Sequence, residues 1–550
     1  MKRWSECGAV AAGVLFVAAM TARATGQVTE RVSIDSGGAA GNDSSLYPSI
    51  SADARFVAFW SWATNLVNGD TNGRIDVFVH DRQTGATERV SLGPGGTQGN
   101  GDSHYPSISA DGRYVAFWSY ATNLVSGDTN TAMDIFVRDR QSGTTERVSL
   151  DSSGVQGNRE SLDPSISADG RYVAFRSYAD NLVSGDANGV QDAFVRDRLS
   201  STTERVSLDS LGTQGNGDSF EPSISADGRY VAFQSFSTNL VSGDTNGQTD
   251  VFVRDRQSGT TERVSVDSVG TQGNGFSYWH SISADGRYVA FRSYADNLVS
   301  GDTNGQPDVF VHDRQNGTTE RASVGSGGVQ GNGISYFASI SADGRYVAFA
   351  SEASDLVSGD TNGQPDVFVR DRRNGTTERV SVDSVGAQGN GFSYWHSISA
   401  DGRYVAFYSY ADNLVGGDTN GMGDVFVRTR GPAPMVTSRG HNCAAPYLTW
   451  SGNPALGEDY TVTTVNLGLN SQVLLVDWSN IPGRRPPLRA GFACQIYIPA
   501  DSMVALGNVP DYTFSIPTDP ALLGVHLRTQ ARVLSSPVVT TQVLDARIGQ

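Results

Sequence analysis

Between residues 27 and 430 the apolar positions come in short runs, each bounded by turn-forming residues. Pro106 to Ser109 reads Pro-Ser-Ile-Ser, Arg113 to Ser119 Arg-Tyr-Val-Ala-Phe-Trp-Ser, Asp134 to Arg140 Asp-Ile-Phe-Val-Arg-Asp-Arg, and Thr145 to Leu150 Thr-Glu-Arg-Val-Ser-Leu. Runs of this length rich in β-branched and aromatic residues predict strands. Val-Ala-Phe and Val-Phe-Val are continuous rather than alternating, so these strands are expected to be buried on both faces. The hairpins are predicted from Ala-Asp-Gly-Arg (110–113), as a two-residue type I′ turn, and from Gln-Ser-Gly-Thr (141–144).

The set recurs every 58 residues without insertion: Thr-Glu-Arg-(Val/Ala)-Ser begins at Thr29, Thr87, Thr145, Thr203, Thr261, Thr319 and Thr377. Four strands per unit predict an all-β, seven-bladed β-propeller. A β-helix is built from shorter coils and fits two tight hairpins per unit badly. The chain starts one strand out of phase, so Thr29 to Ile34 is expected to complete the seventh blade beside Val425 to Arg428 and close the ring.

The domain reading is a signal peptide over 1–26, the propeller over 27–430, a Gly-Pro-Ala-Pro linker at 431–435, and a β-rich unit over 436–550. Lys2 and Arg3, the apolar stretch Ala9 to Ala22, and Ala22-Arg23-Ala24 carry the first assignment; the apolar part is short for a membrane span, and none is expected in the mature chain. Tyr460 to Val465, Gln472 to Val476, Gln495 to Ile498 and Ala531 to Leu534 predict a small β-sandwich-like C-terminal domain. Cys443 and Cys494 remain after processing, and in a secreted chain they are expected to pair, two buried free thiols being the alternative.

Processing leaves 38 basic and 57 acidic residues and no lysine. Such a surface repels phosphate backbones and anionic membranes, which excludes nucleic acid as a partner and leaves cations open. Each unit carries Asp-x-Asn-x-x-x-Asp: Asp70, Asn72 and Asp76; Asp128, Asn130 and Asp134; Asp186, Asn188 and Asp192; Asp244, Asn246 and Asp250; Asp302, Asn304 and Asp308; Asp360, Asn362 and Asp366; Asp418, Asn420 and Asp424. Three side-chain oxygens in one loop make a partial shell for Ca2+; the same residue types also build Asx turns. Asp81 and its equivalents lie too far along the following strand to close the same site. The second unit keeps the three oxygens but has Asn130-Thr131 in place of Asn-Gly, which weighs against a pure turn role.

The long loops, 120–130 and 151–158 with their equivalents, leave the ring on one face, where function is expected to gather. Trp60, Trp62 and Trp118 stand late in the second strand of their units, and Trp279 and Trp395 just before the first. They are candidate partner-binding residues, with capping of the blade cores as the alternative. The seven histidines form no ligand pair at metal spacing, and no nucleophile elbow or phosphate loop stands out, so no catalytic residues are named.

The strings Ser-Ile-Ser-Ala-Asp-Gly-Arg-Tyr-Val-Ala-Phe, Asp-Val-Phe-Val-Arg-Asp-Arg and Thr-Thr-Glu-Arg-Val-Ser closely resemble the WD-like repeats of the TolB-like β-propeller family over about 400 residues. The resemblance implies a secreted or periplasmic propeller that works by binding other proteins. The family's namesake has six blades and an N-terminal second domain, so its partner is not carried over. The expectation is a secreted, monomeric, non-enzymatic scaffold for an envelope or extracellular protein, calcium-stabilised through its acidic loops, with a carbohydrate-binding or carbohydrate-cleaving propeller as the alternative.

Overall fold

The computed structural model describes residues 27–431 in full and, beyond them, the backbone of seven strands between 447 and 549. The chain divides into two compact units, 1–434 and 435–550.

The first unit is a seven-bladed propeller. Every blade is a four-stranded antiparallel sheet. Blade 1 comprises Ser45–Ile50, Phe56–Ser61, Asp76–Asp81 and Ala86–Arg89, from the channel outwards. The next five blades repeat this order, and blade 7 takes Ser393–Ile398, Tyr404–Ser409 and Asp424–Thr429 from the end of the ring and Val28–Arg31 from its start. Val28 pairs with Thr429 and Arg31 with Phe426, which is the expected closure.

Blade faces pack through Val, Ala and Phe at or near zero exposure, with one stacked or tilted phenylalanine pair inside each blade, such as Phe59 and Phe78 at 6.0 Å. Continuous apolar runs are what a blade with two neighbours requires.

Two rings of polar contacts run through every blade boundary. In the first, each hairpin alanine donates its N–H to the equivalent carbonyl of the following blade, from Ala52 to Ala110 at 3.0 Å round to Ala400 to Ala52 at 3.2 Å. In the second, an arginine meets the glutamate of the preceding blade's outer strand, as Arg140 Nε meets Glu88 Oε1 and Arg82 meets Glu30 across the closure. The same arginines lie over the preceding blade's aromatic ring, Arg140 at 4.3 Å from the Phe56 centroid. Within the repeated string each residue therefore has a place: threonine and glutamate hold the neighbouring blade, valine fills the core, and arginine and serine serve the acidic loop.

Two local expectations are corrected. The first strand starts earlier than the Pro-Ser-Ile-Ser string, at Ser103 in blade 2. The hairpin at 110–113 is no two-residue type I′ turn: Ser109 accepts from Gly112 N–H across a four-residue loop, and only Gly112 has positive φ, at 73°. A Cβ on Gly112 would meet the Phe56 ring of the preceding blade at 2.1 Å, so the glycine serves close approach as well as conformation.

The described strands of the second unit form one seven-stranded antiparallel sheet, ordered Tyr447–Thr449, Ala493–Pro499, Ser471–Asp477, Asp459–Asn466, Val543–Gly549, His526–Thr529 and Tyr512–Ser515. The signal peptide, Cys443 and its pairing with Cys494, and the Ala531 to Leu534 run lie outside the described residues. Among the described residues no helix is long and apolar enough to cross a membrane.

Candidate functional site

In the acidic loops Arg89 Nη1 stands 2.9 Å from Asp70 Oδ1 and 3.0 Å from Asp76 Oδ2, all three side chains under 10% exposed. The arrangement repeats in every blade: Arg147 with Asp128 and Asp134, Arg205 with Asp186 and Asp192, Arg263 with Asp244 and Asp250, Arg321 with Asp302 and Asp308, Arg379 with Asp360 and Asp366, and Arg31 with Asp418 and Asp424 across the closure. Ser91 Oγ donates to the other oxygen of Asp76, and Asn72 Nδ2 donates to Asp76 Oδ2 at 2.9 Å. The place a cation would take between the two carboxylates thus holds a guanidinium. Burial pushes the carboxyls of Asp128 and Asp134 up while the arginine pulls them down.

Asn72 Oδ1 accepts from Arg74 N–H at 3.1 Å, an Asx turn. In blade 2, Asn130 makes the same bond to Ala132, and Thr131 takes the left-handed conformation, φ 57°, of the glycine it replaces, so this copy keeps its turn. Asp81 lies at the far end of its strand, bound by Arg55 Nε and Nη2 at 3.0 and 2.8 Å, which holds its carboxyl well below the usual range.

The tryptophans occupy three levels of the channel mouth. Trp62 stands just past the second strand, 42% exposed, while Trp60 and Trp118 lie inside that strand and are buried. Trp279 and Trp395 belong to the innermost strand rather than the segment before it: they sit at its third position, in Ser277–Ile282 and Ser393–Ile398.

That third position is the centre of the site. Tyr47, Tyr105, Asp163, Glu221, Trp279, Phe337 and Trp395 all have φ between 32° and 52°, in the left-handed region, and none is glycine. Each lies where the strand skips register against its partner, between Leu46 and Ser49 in blade 1. Such a bulge re-aims a side chain, and holding seven non-glycine residues there costs on the order of 1 kcal/mol or more apiece. Backbone strain retained at every blade points to a use for the side chains it presents.

Tyr47 lies 4.2 Å, ring to ring, from both Tyr105 and Trp395; Trp279 stacks on Phe337 at 4.2 Å. Five aromatics therefore form one wall. Asp163 and Glu221 interrupt it. Arg176 Nε donates to Asp163 and its Nη1 to Gln191 Oε1 at 2.7 Å. Burial and the neighbouring Asp163 push Glu221 up to about 8. In the fourth position, burial lowers His280 and His396 each to about 4, opposed by backbone hydrogen bonds to Ala232 and Glu221 for His280 and to Ala348 for His396.

Above this tier stands an exposed crown, one residue per blade: Trp62, Tyr120, Tyr178, Phe236, Tyr294 and Tyr410, 39–50% exposed, with Glu352 in the remaining blade. The tiers are linked through the level between them, Trp60 lying 5.9 Å from Tyr47 and 4.6 Å from Trp62, ring to ring. Between them Arg292, 3% exposed, lies within 5.2 Å of four aromatic ring centres, those of Tyr278, Trp279, Tyr294 and Tyr336. Blades that agree nearly everywhere else diverge at these levels, as in Trp60, Trp118, Arg176, Gln234, Arg292, Ala350 and Tyr408. That divergence was readable from the sequence; the bulge, which has no glycine to mark it, was not.

Neither a protein-family model nor a curated protein matches the chain. Solved structures do. TolB from Acinetobacter baumannii aligns at TM-score 0.34 and 16% identity, covering 61% of this chain and 62% of that one, so the match spans less than two thirds of it. An oligogalacturonate lyase in complex with manganese aligns at 0.45 and 13%, covering 73% and 93%, and a prolyl endopeptidase at 0.44 and 13%, covering 79% and 54%. These neighbours mix TolB proteins with a lyase and peptidases. The seven-bladed architecture itself rests on the sheets described above.

Proposed function

We propose that the chain is a secreted, non-enzymatic binding propeller that captures an envelope or extracellular protein on its aromatic crown. The observation that carries this is the crown itself: six equivalent positions each hold a large aromatic exposed by 39–50%, around a channel mouth where otherwise near-identical blades diverge. Exposed aromatics grouped around one opening are the residue types on which interface energy concentrates. The opposite face presents tight hairpins with Gln141 and its equivalents.

Photo-cross-linking residues placed at Tyr120 and Tyr294 should capture one partner, whereas Gln141 should not. Tyr120→Ala with Tyr294→Ala and Tyr410→Ala should abolish capture at unchanged melting temperature. Equal cross-linking from both faces would overturn the reading. Specific glycan-array binding lost in the same triple variant would replace the protein partner with a carbohydrate.

A further inference from the structure

We propose that the channel tier is a receptor site for an organic cation, a lysine or arginine side chain of the captured polypeptide, seated between Glu221 and Asp163 against Trp279 and Tyr105. This rests on the crown being the working face and names the group the site takes.

The charge balance comes first. Two carboxylates stand at adjacent ring positions, and the one arginine between them is engaged with Asp163 and Gln191. Glu221 enters no ion pair with the described residues, and its side-chain hydrogen-bond partner is Trp279, a neutral group that leaves the charge of an ionised carboxylate unmatched. The groups facing it are Asp163 and Arg176 from blade 3, Trp279, Tyr278 and His280 from blade 5, and Tyr105 and Tyr47 across the ring. Arg292 is enclosed by its own aromatic cage and pairs with neither carboxylate.

The chemistry of the walls comes second. Aromatic faces beside a desolvated carboxylate attract an ammonium or guanidinium through charge and ring quadrupole together. Two carboxylates among aromatics fall far short of the six to eight oxygens calcium takes, and no group of three metal-binding side chains exists among the described residues. Third, Asp163 and Glu221 are kept at φ 52° and 47°, where glycine would be unstrained, so their side chains are retained at a cost. An acidic chain also steers cations towards such a mouth.

The test is titration calorimetry of the mature protein with the blocked tripeptide Gly-Lys-Gly and its norleucine analogue. Glu221 sits near 8 in the free protein, so at pH 7 it is mostly protonated, and seating a cation should release roughly 0.9 proton, read from buffers of different ionisation enthalpy. Binding should tighten about tenfold from pH 7 to pH 9, and E221Q should abolish both the proton release and this pH dependence. Trp279→Phe, which keeps an aromatic wall, should bind more weakly by a few-fold. Equal binding of the norleucine peptide, an unchanged E221Q, or calcium alone bound in an E221Q-sensitive way would each overturn the proposal. Loss of peptide binding with crown cross-links intact would sink this inference alone; loss of the cross-links would sink the crown reading.

Discussion

Replacing Arg205 by methionine would strand two carboxylates that share one guanidinium, Asp186 at 3.2 Å and Asp192 at 3.3 Å, with the three side chains 9%, 5% and 0% exposed. Breaking a buried pair by removing one partner costs about 3 to 5 kcal/mol, because the remaining charge stays desolvated. Ser207 and Gln214 still donate to Asp192, which keeps the loss towards the lower end. An unfolding entropy of about 2.1 cal/mol/K per residue over some 400 residues converts this to a fall of about 4 to 6 °C in melting temperature. Scanning calorimetry of the wild type, Arg205→Met and Arg205→Met with Asp186→Asn gives the measurement, and the double variant should regain part of the loss. The wild type should melt within about 1 °C in EDTA and in millimolar calcium, since a ligand stabilises only if the native state has room for it. A drop under about 1 °C in Arg205→Met, or a calcium-specific rise of several degrees in the wild type, would refute the arginine account and return the loops to metal binding.

Two further outcomes follow from the same geometry. Thr429 stands where the other blades have the aspartate that binds an arginine through two bonds, so Thr429→Asp should give Arg403 a partner and add about 0.5 to 1 kcal/mol in urea unfolding; no gain would show that the seventh hairpin holds Arg403 differently. His280 and His396 are lowered to about 4 by burial, against about 6.5 in the unfolded chain. The unfolded state takes up the proton first as pH falls, so stability should be intact above about 6.5 and decline towards 4, by about 2 kcal/mol per histidine at pH 5, and His280→Gln with His396→Gln should flatten that limb. Parallel wild-type and variant curves would contradict it.

The ring was legible because its information is local and repeated. Continuous apolar runs, a constant period and an orphan Thr-Glu-Arg-Val-Ser string at Thr29 specify blade, count and closure without knowledge of distant contacts. The ion pairs of the acidic loops were not legible, for the opposite reason. Asp70 and Arg89 meet only after the third and fourth strands fold back on each other, and the arginine reads by itself as one more strand residue. Its presence in all seven copies alongside the paired aspartates was the available clue. The bulge at Tyr47 and its equivalents left no trace in composition, since aromatic and acidic residues sit where glycine is the usual mark of positive φ. The tier proposed to carry function is thus the one where local rules are broken.

The pairing of Val28 with Thr429 also sets a timetable for assembly. The first strand of the ring leaves synthesis early, and its partner lies at the far end of the ring, 401 residues on for the Gln27 to Arg428 hydrogen bond. Joining ends so far apart costs about 2 kcal/mol more chain entropy than closing one repeat, a modest sum, but no pairing can begin until the whole ring exists. Until then blade 7 exposes one strand edge and the amino terminus carries a free strand that fits it. Two chains emerging side by side at high concentration can satisfy each other at that point, so this fold forms best where nascent chains are kept apart.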